Sequence, residues 1–358
     1  MLTLGEVAAT AASIVEMQES SGAIPWTPGQ HTDVWNHVES AMALVVAGRV
    51  AEAEHAYRWA VETQRPDGSW PMKVVGGDVV DASGETNMTA YLAVGLWHHW
   101  LVRRDSAFVH ELWPSVSRAL DWVADLQLPW GGVAWSQEWD GAQPHRVNAE
   151  ALLAGSSSIH HALRAGVALA SLLGDPQPTW ELAGARLAHA LRSHRDLFLD
   201  KSTFSMDWYY PVLGGAVRGE AGRDLIASRW DEFVVPGLGV RCVDTNPWVT
   251  GAESCELVLA LEAVGERDRA ARLLADVQHL RSDDGAYWTG LVYPEAVNWP
   301  NEHTTYTAAA MILASDALAD RTPGADVFRG QTLPAFDGLA VDCGCPSALS
   351  AHEVAGLA

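Results

Sequence analysis

Basic residues are scarce in this chain: 23 Lys and Arg stand against 45 Asp and Glu, a formal net charge of -22 over 358 residues. A field of that sign repels phosphate backbones and anionic lipid, which argues against nucleic acid or a membrane surface as partner. The first twenty residues lack a basic segment, and Glu6 and Glu16 interrupt their apolar positions. They read as an amphipathic helix, not a signal peptide. No apolar run is long enough to span a bilayer. A cytoplasmic location is therefore expected. The four cysteines, Cys242, Cys255, Cys343 and Cys345, contain no Cys-x-x-Cys pair. Neither structural disulfides nor a metal ion is expected, and Cys343 and Cys345 read as free thiols. No linker is evident between residues 1 and 320, because Pro and Gly recur along the whole chain. Phe and Tyr are also few, 13 together against 17 Trp. Trp in such excess suits both hairpin cores and sugar stacking.

What the chain does have is helical periodicity from one end to the other. The first helix runs from about Thr3 to Glu19, with Leu4, Val7, Ala8, Ala11, Ile14 and Val15 on one face. More apolar helices begin near Val34, Asn87, Ser156, Trp208, Ala252 and His303. Charged, amphipathic partners begin near Val50, Ser106, Pro178, Glu220 and Glu266. The pattern predicts an all-α fold of six hairpins, with apolar helices inside and amphipathic ones outside. The hairpin from Tyr209 to Trp230 is the weakest, because Pro211, Gly214 and Gly215 interrupt it.

Loop lengths alternate. Links from an apolar to an amphipathic helix are short, as at Gly48-Arg49 and Gly265-Glu266, where Gly supplies the left-handed cap. The returns Ser20–Thr32, Arg65–Thr86, Leu128–Gly155, Val234–Gly251 and Ser282–Glu302 are long. In a ring of alternating antiparallel helices these long returns share one face, which is where a site is expected. From about Thr322, Pro323, Gly324, Pro334, Gly338, Gly344 and Pro346 break the periodicity. The expected organisation is a ring over residues 1–321 and a surface tail over 322–358.

Three return loops share a punctuation: Asp67-Gly68-Ser69-Trp70, Gly131-Gly132-Val133-Ala134-Trp135 and Gly285-Ala286-Tyr287-Trp288. This Gly-x-Trp repeat resembles that of squalene-hopene cyclases and protein prenyltransferases. The resemblance implies an (α/α)6 toroid, and short strands are expected in the inner-helix loops. It implies fold better than chemistry. The cyclase Asp-x-Asp-Asp and Asp-Asp-x-x-Asp motifs are absent, and Cys242 with Asp244 imitates a prenyltransferase zinc set without a matching His.

Each return loop brings carboxylates and aromatics toward the rim: His31, Asp33, Trp35 and Asn36; Asp81 and Glu85; Asp140; Asp207, Trp208 and Tyr209; Trp248 and Glu253; Trp299 and His303. Carboxylates and amides take sugar hydroxyls, while aromatics stack on the C–H faces of the ring. An acidic residue in a first helical turn is also an ordinary cap, so each position has a purely structural reading as well.

The stretches His31-Thr32-Asp33-Val34-Trp35-Asn36-His37-Val38-Glu39, Ser205-Met206-Asp207-Trp208-Tyr209-Tyr210-Pro211 and Thr250-Gly251-Ala252-Glu253-Ser254 resemble an actinobacterial group of toroid glycoside hydrolases. That group is often labelled prenyltransferase-like, and a mycobacterial member hydrolyses methylmannose polysaccharides. The resemblance implies an endo-acting α-mannosidase on α-1,4-linked, partly O-methylated mannan; no cofactor is expected.

Glycoside hydrolysis needs one protonated and one ionised carboxyl. Asp33 is the expected base. Glu253 or Asp207, beside aromatics on the opposite side of the ring, is the expected acid. Trp35, Trp208, Tyr209, Trp248 and Trp299 are the stacking candidates. The alternatives are a prenyltransferase- or terpene-cyclase-like enzyme, by fold analogy alone, a sugar epimerase using His31 or His37 with His303, and a non-catalytic carbohydrate-binding ring.

Overall fold

A computed structural model describes residues 1–336 and 341. Helix α1 (Leu4–Met17) is followed by α2 (Val34–Val46) and α3 (Val50–Thr63). Then come α4 (Thr86–Ala90), α5 (Leu92–Arg103) and α6 (Ser106–Asp125). The third hairpin is α7 (Leu153–Leu173) and α8 (Pro178–Ser193). The fourth is α9 (Ser205–Leu213) and α10 (Gly219–Ser228), followed by the single turn α11 (Trp230–Phe233). Last come α12 (Gly251–Ala263), α13 (Arg267–Asp276), α14 (Thr305–Ala319) and the short α15 (Asp326–Arg329). Pro211 lies inside α9, which is nine residues long and still forms the fourth hairpin.

The more apolar helices α2, α5, α7, α9, α12 and α14 contact one another in chain order, and α14 contacts α2. The circuit of contacts closes. Helices α3, α6, α8, α10 and α13 each pack on the apolar helix that precedes them, and α1 packs on α14. The apolar helices are therefore covered on both sides; every residue of α2 from Val34 to Val46 is buried.

The Gly-x-Trp turns stitch the outer helices together. Gly68 has φ +99°, and a Cβ there would sit 2.2 Å from the Arg118 carbonyl oxygen of α6. Gly131 has φ +103° and presses likewise on Arg186 of α8. A glutamine completes each of these two turns. The Gln64 amide donates to the carbonyls of Gly68 and Ser115, both at 2.9 Å. Gln127 donates to those of Gly131 and Ala183 at 3.0 and 2.8 Å. Gln18 does the same with Gly22 and Glu52, both at 3.0 Å, so a fourth turn without a Trp obeys the same rule. Each bond satisfies a carbonyl that a loop would otherwise leave to water.

Strands occur, all antiparallel and all in the long returns. β1 (Lys73–Val75) pairs with β2 (Asp78–Asp81). β3 (Gly84–Glu85), β4 (Ser136–Asp140) and β5 (Gln143–Asn148) form a second sheet. β6 (Val234–Val235), β7 (Gly239–Arg241), β8 (Trp248–Thr250), β9 (Gly290–Val292) and β10 (Val297–Asn298) form a third. Short strands were expected in the loops before the inner helices, and they lie there; at the Gly-x-Trp turns themselves there are only single bridges, Gln127 to Val133 and Arg281 to Tyr287.

Inside the circuit lies a polar network. Glu256 of α12 accepts hydrogen bonds from the hydroxyls of Tyr209, Tyr210 (2.7 Å) and Tyr306 (2.5 Å). Glu39 of α2 accepts one from Tyr91 at 2.6 Å. Both carboxyls are buried. Burial pushes Glu39 up to about 7 and Glu256 up to about 8, with Glu253 and Glu39 adding repulsion at Glu256.

The surface-tail expectation fails for its first part. Residues 322–336 pack against the helices, and Phe328, Leu333 and Phe336 are buried. Phe328 meets His161 of α7, whose Nε2 lies 2.8 Å from the Val327 carbonyl oxygen. Arg164 donates to the carbonyls of Gly330 and Pro334. Pro and Gly broke the periodicity without removing apolar anchors. The remainder of that tail, with Cys343 and Cys345, lies outside the described residues.

Two outcomes test this packing. Phe328→Ala should cost about 3 kcal/mol in urea unfolding, the usual cost of emptying a buried aromatic site. The buried carboxyls set a pH dependence. In the unfolded chain Glu256 loses its proton near 4.5, but in the folded protein only near 8. Its contribution to stability is thus full below about pH 4.5 and is lost as pH rises through about 8. Between pH 5 and pH 8.5 the wild-type Tm should fall by more than that of Glu256→Gln, read by calorimetry at each pH.

Candidate active site

Asp33 caps α2. One carboxylate oxygen accepts from the Asn36 amide at 2.9 Å, and the other is held by the Asn36 side chain. His31 Nε2 lies 3.5 Å from the same carboxylate, and its ring stacks on Trp26. Asp33 is buried, it satisfies the helix end, and the Asn36 side chain and His31 position its carboxyl. Glu85 repeats the arrangement at the start of α4, the short helix that leads into α5, accepting from the Met88 amide at 2.5 Å. Its burial, with Asp33 nearby, pushes it up to about 7.

Glu253 lies in the first turn of α12, half-buried, one turn before Glu256. Its carboxylate lies against the Cys242 thiol, which burial and this charge push up. From Glu256 the network runs back toward α2. Tyr306 of α14 donates to Glu256, and its ring meets Trp35 edge-on at 5.2 Å and Trp26 at 5.7 Å. Trp35 stacks on Tyr91 at 4.7 Å. The Trp35 indole N–H is buried and has no hydrogen-bond partner among the described residues. It lines a cavity with Glu39, Tyr91, Tyr210 and Glu256, which is lined further down by Leu213, Leu259 and Phe328. Trp26 donates to Glu302 at 2.9 Å, and the Thr305 amide donates to the Trp26 carbonyl, so the first return loop is tied to the start of α14.

The other expected residues fall elsewhere. Asp207, in the first turn of α9, accepts from the Ala154 amide of α7 at 3.3 Å. Burial pushes it up to about 6. It faces a cleft with Leu153, Leu199, Asp200 and Arg229, beside the outer helix α10. Of the two expected acids only α9 is diametrically opposite α2; α12 stands two steps round the circuit, with α14 between them.

Trp208 is no stacking platform. It is buried, stacks on Phe233, and donates to the Leu225 carbonyl of the outer layer. Tyr209 is no platform either, since its buried hydroxyl binds Glu256. Asp81 accepts from the Ser83 amide at the foot of the β1–β2 hairpin, and Asp140 is exposed at the tip of the β4–β5 hairpin. Trp248 and Trp299 form an edge-to-face pair at 5.0 Å, with the Trp248 indole donating to the Trp299 carbonyl.

His303 rests on Trp288 at 4.0 Å and bonds Ser282 at 2.8 Å, so it belongs to a Gly-x-Trp turn. His37 is buried, with one ring nitrogen on the Ile24 amide and the other on the Ala56 carbonyl, and burial pushes it down to about 4. Neither is free to act as half of an epimerase pair. Among the described residues no three His, Cys, Asp or Glu side chains gather as a metal set, and no helix is long and apolar enough to cross a membrane.

Sequence reasoning missed Glu256, Tyr306, Tyr91 and Trp26, and gave Glu39 no role. A signal existed for the carboxyls. A lone Glu inside an apolar helix, as in Val38-Glu39-Ser40-Ala41 or Cys255-Glu256-Leu257, must find partners if that helix is buried.

No family model matches the chain. It is 52% identical over 345 residues to the MMP endo-(1,4)-3-O-methyl-alpha-D-mannosidase of Mycolicibacterium hassiacum, covering 96% of this chain and 95% of that protein. A solved glycosidase, in a variant with a single alanine substitution, superposes with a TM-score of 0.68 at 17% identity, over 88% of this chain and 98% of the other. The GH63 mannosylglycerate hydrolase from Thermus thermophilus, in complex with Tris and D-glycerate, superposes with a TM-score of 0.65 at 16% identity, over 86% and 99%. At such identities these two share the fold. The full-length match carries more: the chain is a glycoside hydrolase and belongs to the family of the mycobacterial endo-(1,4)-3-O-methyl-α-D-mannosidase.

Proposed function

We propose that this enzyme cleaves internal α-1,4 linkages of partly 3-O-methylated mannan, within an (α/α)6 toroid, using Asp33 and Glu253. The observation that carries the substrate is the named activity of a relative matched over 96% of the chain. The closed circuit of six inner helices supports the toroid. For the carboxyl pair the support is the continuous wall of Trp26, Trp35 and Tyr306, which joins the Asp33 rim to Glu256 and so to Glu253. Asp207 has no such link, since it bonds the start of α7 beside an outer cleft.

In this reading Glu253 gives its proton to the glycosidic oxygen as the C1–O bond breaks. Asp33, held by Asn36 and His31, takes a proton from the water whose oxygen bonds to C1. The oxocarbenium-like transition state gains from the ionised carboxylate beside it. Glu85 carries its proton up to about pH 7, so below that pH it adds no second negative charge beside Asp33. The reaction as proposed uses no cofactor, and the protein acts in the cytoplasm on a polysaccharide, with no nucleic-acid or membrane partner.

Asp33→Asn and Glu253→Gln keep shape but cannot exchange protons. Each should lower turnover of methylated oligomannoside by at least about a hundredfold while binding survives. Asp207→Asn should retain turnover; its loss, with Glu253→Gln active, would move the acid to Asp207. Product masses decide the reaction class, because hydrolysis adds one water per cleavage and epimerisation adds none. Binding without any cleavage by the wild type would identify a carrier.

A further inference from the structure

Two hairpins on the long-loop face carry apolar side chains into solvent. Val79 and Val80 of β2 are 53% and 59% exposed, and Val297 of β10 and Trp299 just after it are 54% and 53% exposed. Each hairpin adjoins one of the two rim carboxylates. Thr32, the residue before Asp33, exchanges both backbone hydrogen bonds with Val74 of β1, at 2.7 and 3.0 Å. β1 in turn pairs Val74 with Val79. On the other side β10 pairs with β9 and β9 with β8, which ends at Thr250, three residues before Glu253. Trp248 of β8 holds the Trp299 carbonyl at 2.7 Å.

Exposed edge strands are normally blunted by charge, and adjacent residues of a strand point to opposite faces. A Val-Val pair exposed on both faces, with Asp78 and Asp81 beside it, is therefore unusual on a chain of net charge -22. Val79–Val80 and Val297–Trp299 offer methyl-sized apolar contacts, with carboxylates at hand for hydroxyls. A sugar ring bearing an O-methyl group has that same mixture on one edge.

We infer that these two hairpins read the O-methyl groups of the polysaccharide, Val79 and Val80 on the Asp33 side and Val297 with Trp299 on the Glu253 side, so that methylated chains are selected over bare ones. The inference rests on the substrate reading above and adds the residues that discriminate. One buried methyl is worth about fourfold in affinity. Two or more contacts give a selectivity of about tenfold or above. The contact is made in the bound ground state, so it lowers Kd and KM alike and leaves kcat for a bound chain unchanged.

The test is calorimetric binding of α-1,4-oligomannosides of equal length, 3-O-methylated and bare, to the full chain and to two variants. Val79→Thr with Val80→Thr, and Val297→Thr alone, keep β-branched shapes on exposed strands and so leave the fold intact. The wild type should prefer the methylated ligand by about tenfold or more. Each variant should lose about fourfold or more for that ligand and less than about twofold for the bare one. Equal binding of both ligands by the wild type, binding of neither, or a methyl preference unchanged in both variants would overturn the inference. Light scattering on the same samples covers the rival occupant. If the valine variants turn a dimer into a monomer with selectivity intact, the hairpins join copies of the chain and do not read sugar. Methyl-selective binding that depends on the valines, with no cleavage of either ligand, would support the inference while sinking the proposed hydrolysis.

Discussion

Glu256 is a carboxyl placed where water cannot reach it, and three tyrosines are spent on it. Tyr209 and Tyr210 come from α9 and Tyr306 from α14, so one side chain of α12 binds both of its neighbours in the circuit. An unpartnered carboxyl in that position would cost several kcal/mol, so α9, α12 and α14 cannot shift independently. The consecutive pair Tyr209-Tyr210 is accommodated in a short helix containing Pro211, which explains why the fourth hairpin looks poor as a helix and is still needed. Tyr91 with Glu39 provides a smaller version on the α2–α5 side. Trp35 and Tyr306 lie between the two centres and join them through ring contacts.

A second constraint acts where helices begin after the long returns, because their first amides need acceptors. Asp33 and Glu85 both supply them. The capping and chemical readings of these residues are therefore not rivals. A helix N-terminus stabilises a carboxylate there, which lets acidic groups collect on one face of a buried wall. Burial acts against this and pushes both Glu85 and Asp207 up. Where a carboxyl points separates them. Asp207 and Trp208 share a helix turn with Tyr209, yet they face α7 and the outer layer.

The repeated Gln–Gly turns show how a ring with so many long loops stays ordered. Gln18, Gln64 and Gln127 each hold their own turn and the neighbouring outer helix, tying α1 to α3, α3 to α6 and α6 to α8. The loops beyond the turns are then free to grow into hairpins that decorate the face without loosening the helices. Closure at the other end comes from the segment after α14, whose Phe328 lines the same internal cavity as Trp35 and Glu256.

Local information in the sequence determined the hairpins, the alternation of long and short loops, the acidic and Trp-rich face and the family resemblance. Each depends on residues close together in the chain: a 3.6-residue apolar period, a Gly at a left-handed cap, an acid before a helix. Tertiary structure alone decided which of those residues look inward. Trp208 and Trp35 have the same local setting, yet one fills the gap to an outer helix and the other lines the cavity. The same holds for His303, absorbed by Ser282 and Trp288, and for the segment around Phe328, whose prolines and glycines hid its anchors. Glu39 and Glu256 were in plain view, but their meaning depends on tyrosines up to 52 residues away. Direction around a helix and partners across a ring follow from how helices close on one another, and a one-dimensional period carries neither.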